Sequence, residues 1–101
     1  MEQNKLSKDQ ALKIIKKILK NGFYSPTKHF RKRMNERDFD ILDVLYAIKK
    51  GNIYNEPELH PKTDRWTYTV EGVTIGGQKI KIVVDIDEEN NRIRFLTGII
   101  N

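Results

Sequence analysis

The chain has no cysteine, which removes disulfides, thiolate zinc sites, iron–sulfur clusters and cysteine nucleophiles together. That absence suits a reducing compartment. Long apolar runs are missing too. No stretch is long enough to span a bilayer, and lysines interrupt every apolar run between Leu6 and Lys20, so the N-terminus lacks a signal-peptide core. The expectation is a cytoplasmic protein with no membrane partner. There is no repeat, low-complexity tract or linker, and 101 residues suffice for one domain with one modest core. The 38% hydrophobic content is too high for a disordered chain.

What is present is positive charge, unevenly spread. Residues 1–51 hold 13 Lys+Arg against 6 Asp+Glu, a net +7, whereas residues 52–101 hold 6 against 8, a net −2. A basic half joined to a mildly acidic one suggests a polyanion bound on one side, although lysines also solubilise exposed helices.

The periodicity changes along the chain. Ser7 with Gln10 reads as a capping box opening a helix whose apolar face is Ala11, Leu12, Ile14, Ile15, Ile18 and Leu19. Its lysine-rich opposite side would also suit a membrane-surface helix, but packing on a core accounts for the pattern equally well. Asn21-Gly22 ends it. Ser25-Pro26 reads as the cap and first residue of a second helix running to about Glu36. Asp40 caps a third helix with Ile41, Leu42, Val44, Leu45 and Ile48 facing the core, closed by Lys49-Lys50-Gly51. Strand patterns follow. Asn52 to Tyr54 reads as the start of one, and Asn55 to Asp64, with two prolines, as a loop. Arg65 to Ile75 changes apolar parity at Gly72, which suggests a bulge. Gly76-Gly77 makes a hairpin turn, and Ile80, Ile82, Val84 and Ile86 alternate cleanly. The last strand, Arg92 to Ile100, is expected to put Ile93, Phe95, Thr97 and Ile99 on one face. The order predicts an α+β fold, with N-terminal helices packed on a C-terminal antiparallel sheet of three to four strands.

The second helix carries the densest chemistry. His29, Arg33 and Arg37 are spaced i, i+4, i+8 and share one side. Each step of four advances about 40° around the helix, so the stripe drifts toward the apolar side marked by Phe30 and Met34. An inward guanidinium keeps its charge and requires an anionic partner. For Arg33 and Arg37 that partner is either an internal carboxylate (Glu36, Asp38, Asp43 or Asp85) or a ligand phosphate. His29 lies near the positive end of its helix, between Lys28 and Arg33, which disfavour a charged ring and leave it available as a base. His60 sits in the Pro-rich loop beside Glu56 and Glu58, and its spacing matches no strong metal motif; a solvated loop is the reading there. Trp66 and Tyr54 are open to base stacking or to core packing.

The stretch His29-Phe30-Arg31-Lys32-Arg33-Met34-Asn35-Glu36-Arg37, followed by Ile41, Asp43-Val44 and Gly51, resembles an uncharacterised bacterial family. That family pairs an H-x-x-x-R-M-x-x-R helix with a second helix ending in glycine and an antiparallel sheet. It has been grouped with RelE-like toxins in the barnase–EndoU–colicin–RelE superfold of metal-independent ribonucleases. The resemblance spans about residues 25–100 and implies a RelE-like core over 23–101, with 1–22 as an added helix. It carries His29, Arg33 and Arg37 over as the helical motif, and Thr97 as a polar position on the last strand. Where the family often has an aromatic residue just after that threonine, this chain has Ile99. The implied activity is cleavage of RNA, on or off the ribosome, by a toxin held by an antitoxin protein, with no metal or other cofactor. Such chemistry needs a base for the ribose 2′-hydroxyl, an acid for the leaving 5′-oxygen and cations for the phosphate. His29 is open as either base or acid, Arg33 and Arg37 as phosphate contacts, and Thr97 as an orienting group. Lys28, Lys32, Tyr68 and Lys81 are further substrate contacts, and Tyr68, Tyr46 and Lys81 are open as the second proton carrier. A non-catalytic nucleic-acid-binding or protein-interaction domain uses the same basic helices.

Overall fold

The computed structural model describes residues 5–100. Three helices, α1 (Lys8–Asn21), α2 (Lys28–Arg37) and α3 (Ile41–Lys50), pack against strands β1 (Phe23–Pro26), β2 (Glu58–Leu59), β3 (Trp66–Val73), β4 (Lys79–Asp87) and β5 (Arg92–Ile100). The class is α+β, as the segregation of helical and strand patterns implies. The sheet, however, is mixed and five-stranded, in the order β1-β5-β4-β3-β2. The antiparallel centre, β3 to β5, is the part that alternation revealed. Both edges lie in segments read otherwise. Phe23–Pro26 pairs in parallel with β5, from Phe23↔Arg92 to Pro26↔Phe95, and the two-residue β2 pairs with β3 inside the expected loop. Asn52 forms only an isolated bridge, to Glu71.

Local signals set the helix ends. Ser7 and Gln10 form the reciprocal capping box of α1, and Asp40 and Asp43 do the same for α3. The start of α2 differs from expectation. Ser25-Pro26 mimics a cap followed by a first helical residue, yet both belong to β1, and Thr27 is the cap. Pro26 is tolerated because it ends an edge strand, where no ladder hydrogen bond is demanded of it.

One face of the sheet is the core. Ile80, Ile82, Val84 and Ile86 of β4, Ile93 and Phe95 of β5, and Tyr68 and Val70 of β3 are buried. They pack under Ala11, Ile15 and Ile18 of α1, Phe30 of α2, and Val44, Ala47 and Ile48 of α3. Each buried valine, isoleucine or phenylalanine of this set contributes about 1.5–3 kcal/mol relative to exposure. Leu42, expected inside, is 61% exposed, because the buried face of α3 is centred on Val44, Ala47 and Ile48. Gly72 marks no bulge: β3 and β4 pair in unbroken register from Thr67↔Asp85 to Val73↔Lys79. It lets α3 approach instead, since a Cβ there would lie 2.4 Å from the Ala47 carbonyl oxygen. Val73 and Ile75 are consequently exposed at the hairpin end. No described helix is long and apolar enough to cross a membrane.

The irregularity falls in β5. Val83 pairs with Thr97 but Val84 pairs with Phe95, leaving Leu96 as the extra residue. A bulge of this kind reverses side-chain parity. Ile93 and Phe95 face the helices, and so do Gly98 and Ile100 after the bulge, so Thr97 and Ile99 turn to the other side. The expectation of one face shared by Phe95 and Thr97 is corrected here.

Candidate functional site

The bulge and the start of α2 are joined through one residue. Thr27 N–H donates to the Phe95 carbonyl (3.0 Å). Its hydroxyl donates to the carbonyl of the bulged Leu96 (3.3 Å) and accepts from Phe30 N–H (3.2 Å). One threonine thus caps α2 and fixes its first turn to β5 where β1 stops. Phe30, one residue beyond His29, anchors the helix in the core by packing on Phe95 and edge-on to Phe39, with ring centroids 5.4 and 5.9 Å apart. Gly98 completes this contact, because a Cβ there would lie 2.8 Å from Phe39 Cζ.

This construction brings His29 to Thr97. Nε2 of His29 and Oγ1 of Thr97 are 3.3 Å apart, across 68 residues of sequence. Both line an open cleft of about 590 Å³ on the sheet face away from the helix-packed core. Its floor is Thr67, Val83, Leu96 and Thr97, with Thr27 and His29 on one side and Glu58 to Lys62 on the other. Thr67 ties the second wall down by donating its hydroxyl to the Glu58 carbonyl (3.0 Å). Alongside the floor, Asp85 is fully buried and gripped by Arg94, whose Nε and Nη2 lie 2.9–3.2 Å from its carboxylate oxygens.

The remaining sequence-derived site residues are scattered. Arg33 is half-buried one turn beyond His29, and its Nε is enclosed with no hydrogen-bond partner among the described residues. Arg37, expected inward with either an internal carboxylate or a ligand phosphate as its partner, is exposed and makes no salt bridge among the described residues. The reason is local. Asp38 adopts a left-handed conformation (φ 56°) that ends α2 and swings Phe39 into the core, so an aromatic ring fills the space next to Phe30. Arg37 also lies about 12 Å along the helix axis from His29, by the regular rise per residue. Lys28 and Lys32 are exposed on α2. Lys81 lies on β4 opposite Glu71 and Ile99 and is not part of the cleft lining.

Tyr68 does not reach the cleft. It is 1% exposed, on the core side of β3, and its hydroxyl accepts from Leu6 N–H (3.1 Å). Burial raises its pKa, partly countered by that bond. Substrate contact and proton carriage by Tyr68 are therefore both corrected: a packed ring with an occupied hydroxyl has no access to solute. Trp66 is half-buried under the Lys5 ammonium, and Tyr54 is exposed away from the cleft.

The cleft also holds a residue that sequence reasoning set aside. His60, read as part of a solvated loop, lines the wall facing His29. Its N–H donates to the Arg65 carbonyl (2.8 Å) and its carbonyl accepts from Asp64 N–H (3.0 Å), closing a turn between β2 and β3. The available signal was its place between two prolines and a strand; what could not be read was that a two-residue edge strand carries the loop onto the sheet.

Fold and cleft together define a small α+β domain with two histidines on one open, threonine-floored site. Residues 27–97 match the family described as Domain of unknown function (DUF4258), and the chain belongs to that family. No curated protein and no solved structure matches it.

Proposed function

We propose that the cleft binds a phosphodiester of RNA and cleaves it without a metal ion, by attack of the ribose 2′-hydroxyl on the adjacent phosphorus. The observation that carries this reading is the convergence of His29 and Thr97 at 3.3 Å in an open cleft. A histidine nitrogen beside a hydroxyl is placed where a substrate hydroxyl can exchange for the threonine's, so His29 is the proton carrier. Thr97 orients the phosphate. Arg33, one turn beyond His29 on α2 and outside the residues that line the cleft, is assigned to bring its guanidinium charge to that phosphate when substrate is bound. Lys28 and Lys32 add positive charge on the helix that carries His29, whereas the lysines of α1 and α3 lie on helices packed against the other face of the sheet. Arg37 contributes only to the surrounding positive field.

In the reaction His29 takes the 2′-hydroxyl proton as the O2′–P bond forms and the P–O5′ bond breaks, and the leaving 5′-oxygen takes a proton from water, yielding a 2′,3′-cyclic phosphate and a 5′-hydroxyl. The biological setting that fits is a RelE-like toxin restrained by an antitoxin protein, a reading that rests on the resemblance of the α2 motif.

The test is incubation of purified protein with single-stranded RNA in EDTA, beside His29→Ala and Arg33→Ala. The expected result is cyclic-phosphate-ended fragments from the parent, and roughly 10²–10⁴-fold slower cleavage by His29→Ala. Arg33→Ala is expected to slow cleavage by about 10²–10³-fold. No cleavage by the parent, or undiminished cleavage by both variants, rejects the reading. Salt-sensitive RNA binding without turnover would make the domain a binding module instead.

A further inference from the structure

The cleft is wider than one phosphate group. His29 and Thr97 stand at the β5 side, while Glu58, His60 and Lys62 stand at the β2 side. The strand order β5-β4-β3-β2 separates these walls by three strand spacings, about 14 Å at the backbone. A single phosphodiester held at His29 leaves the far wall unused.

The far wall has the chemistry of a second anion contact. Lys62 N–H donates to His60 Nδ1 (3.2 Å). A neutral imidazole has one donor and one acceptor nitrogen, so with Nδ1 accepting, the hydrogen sits on Nε2. In that form His60 Nε2 is an N–H donor, whereas His29 Nε2 faces a hydroxyl. The Lys62 ammonium supplies charge on the same wall. Glu58 carries the opposing charge on that wall, while Asp85 near the floor is already compensated by Arg94. Leu59, Pro61 and Leu96 add apolar surface suited to splayed bases rather than to a closed duplex.

We infer that His60, as an Nε2–H donor, and Lys62 form a second phosphate contact, so that the cleft takes a single-stranded segment at least two phosphates long lying across the strands. This rests on the reading of the cleft as a phosphodiester site, and gives its two histidines different tasks: proton carriage at His29, anion binding at His60.

The experiment uses the full chain and uncleavable 2′-deoxy oligothymidylates carrying one, two, three or four phosphates, with affinity followed by NMR titration of parent, His60→Gln, His60→Ala and Lys62→Ala. Glutamine retains an N–H donor near the Nε2 position. In the parent, affinity is expected to rise stepwise beyond one phosphate. His60→Ala is expected to remove roughly tenfold of that gain, His60→Gln to keep most of it, and one-phosphate binding to stay near the parent value in both. Nitrogen-15 spectra are expected to show the Nε2–H tautomer of His60. Where RNA is cleaved, His60→Gln is expected to preserve the shape of the pH–rate profile. Loss of a limb of that profile, an Nδ1–H tautomer, or a His60→Ala variant matching the parent at every length overturns the assignment. Length-dependent binding by a parent that cleaves no RNA rejects the catalytic reading and leaves the second contact standing. No oligonucleotide binding at all rejects both.

Discussion

Thr27 is the point where fold and site can be perturbed together. Its hydroxyl caps α2 through Phe30 N–H and holds the bulged Leu96 carbonyl. Replacing it with valine keeps the branched shape and removes only these two bonds. Loss of a helix cap costs about 0.5–2 kcal/mol, and loss of a partly buried hydrogen bond about 0.5–1.5 kcal/mol. Because a single oxygen makes both, the sum is not fully additive, and the expected loss is about 1–3 kcal/mol. For a domain of this size that lowers Tm by roughly 5–20 °C. Urea unfolding of the parent, Thr27→Val and Thr27→Ser measures it, with an unchanged dependence on urea showing that the change lies in stability. Serine is expected to restore most of the loss. Amide shifts in Thr27→Val should concentrate at Leu96, Thr97 and the first turn of α2, with weaker contact between His29 and Thr97. A valine variant as stable as the parent, or a serine variant as weak as the valine one, would refute the claim that this hydroxyl ties the helix to the bulge.

Two other changes test the surroundings. Gly98→Ala places a Cβ 2.8 Å from Phe39 Cζ and is expected to cost about 1–3 kcal/mol by overpacking. Adding Phe39→Leu should recover part of it, and independent, additive losses would contradict direct contact. Asp87 has its pKa lowered, mainly by the Asn90 side chain and also by Asn90 N–H, Arg65 and Arg92, against an opposing effect of burial. A depressed carboxyl stabilises the fold above the ordinary aspartate value of 3.8 and loses that contribution as pH falls through the depressed value. Asn90→Ala should therefore be less stable than the parent at neutral pH, with a gap that closes in increasingly acidic solution below that value; a gap unchanged to pH about 2 would contradict the linkage.

The sequence by itself determined the parts of this protein that depend on neighbours along the chain. The capping boxes of α1 and α3 were readable because their donors and acceptors are three residues apart. The core face of β4 was readable because strand alternation has a period of two. The placement of His29 in the first turn of a helix was readable from the same local rules, although the cap is Thr27 and not Ser25.

Tertiary structure decided the rest. The edge strands β1 and β2 are extended because β5 and β3 offer them partners, and neither has an alternation of its own to announce it. The face occupied by Thr97 depends on one extra residue in β5, fixed by Thr27 some 69 positions away. A one-residue shift in a strand exchanges inside for outside, so the same residues read without the bulge bury the threonine that meets His29. Arg37 and Tyr68 were misplaced for the opposite reason. Helical and strand periodicity located their faces but not what fills the space there: Phe39 beside Phe30 in one case, and Leu6 over the tyrosine hydroxyl in the other. His60 joins the site only because the sheet folds its loop alongside the floor, a long-range contact with no local signature.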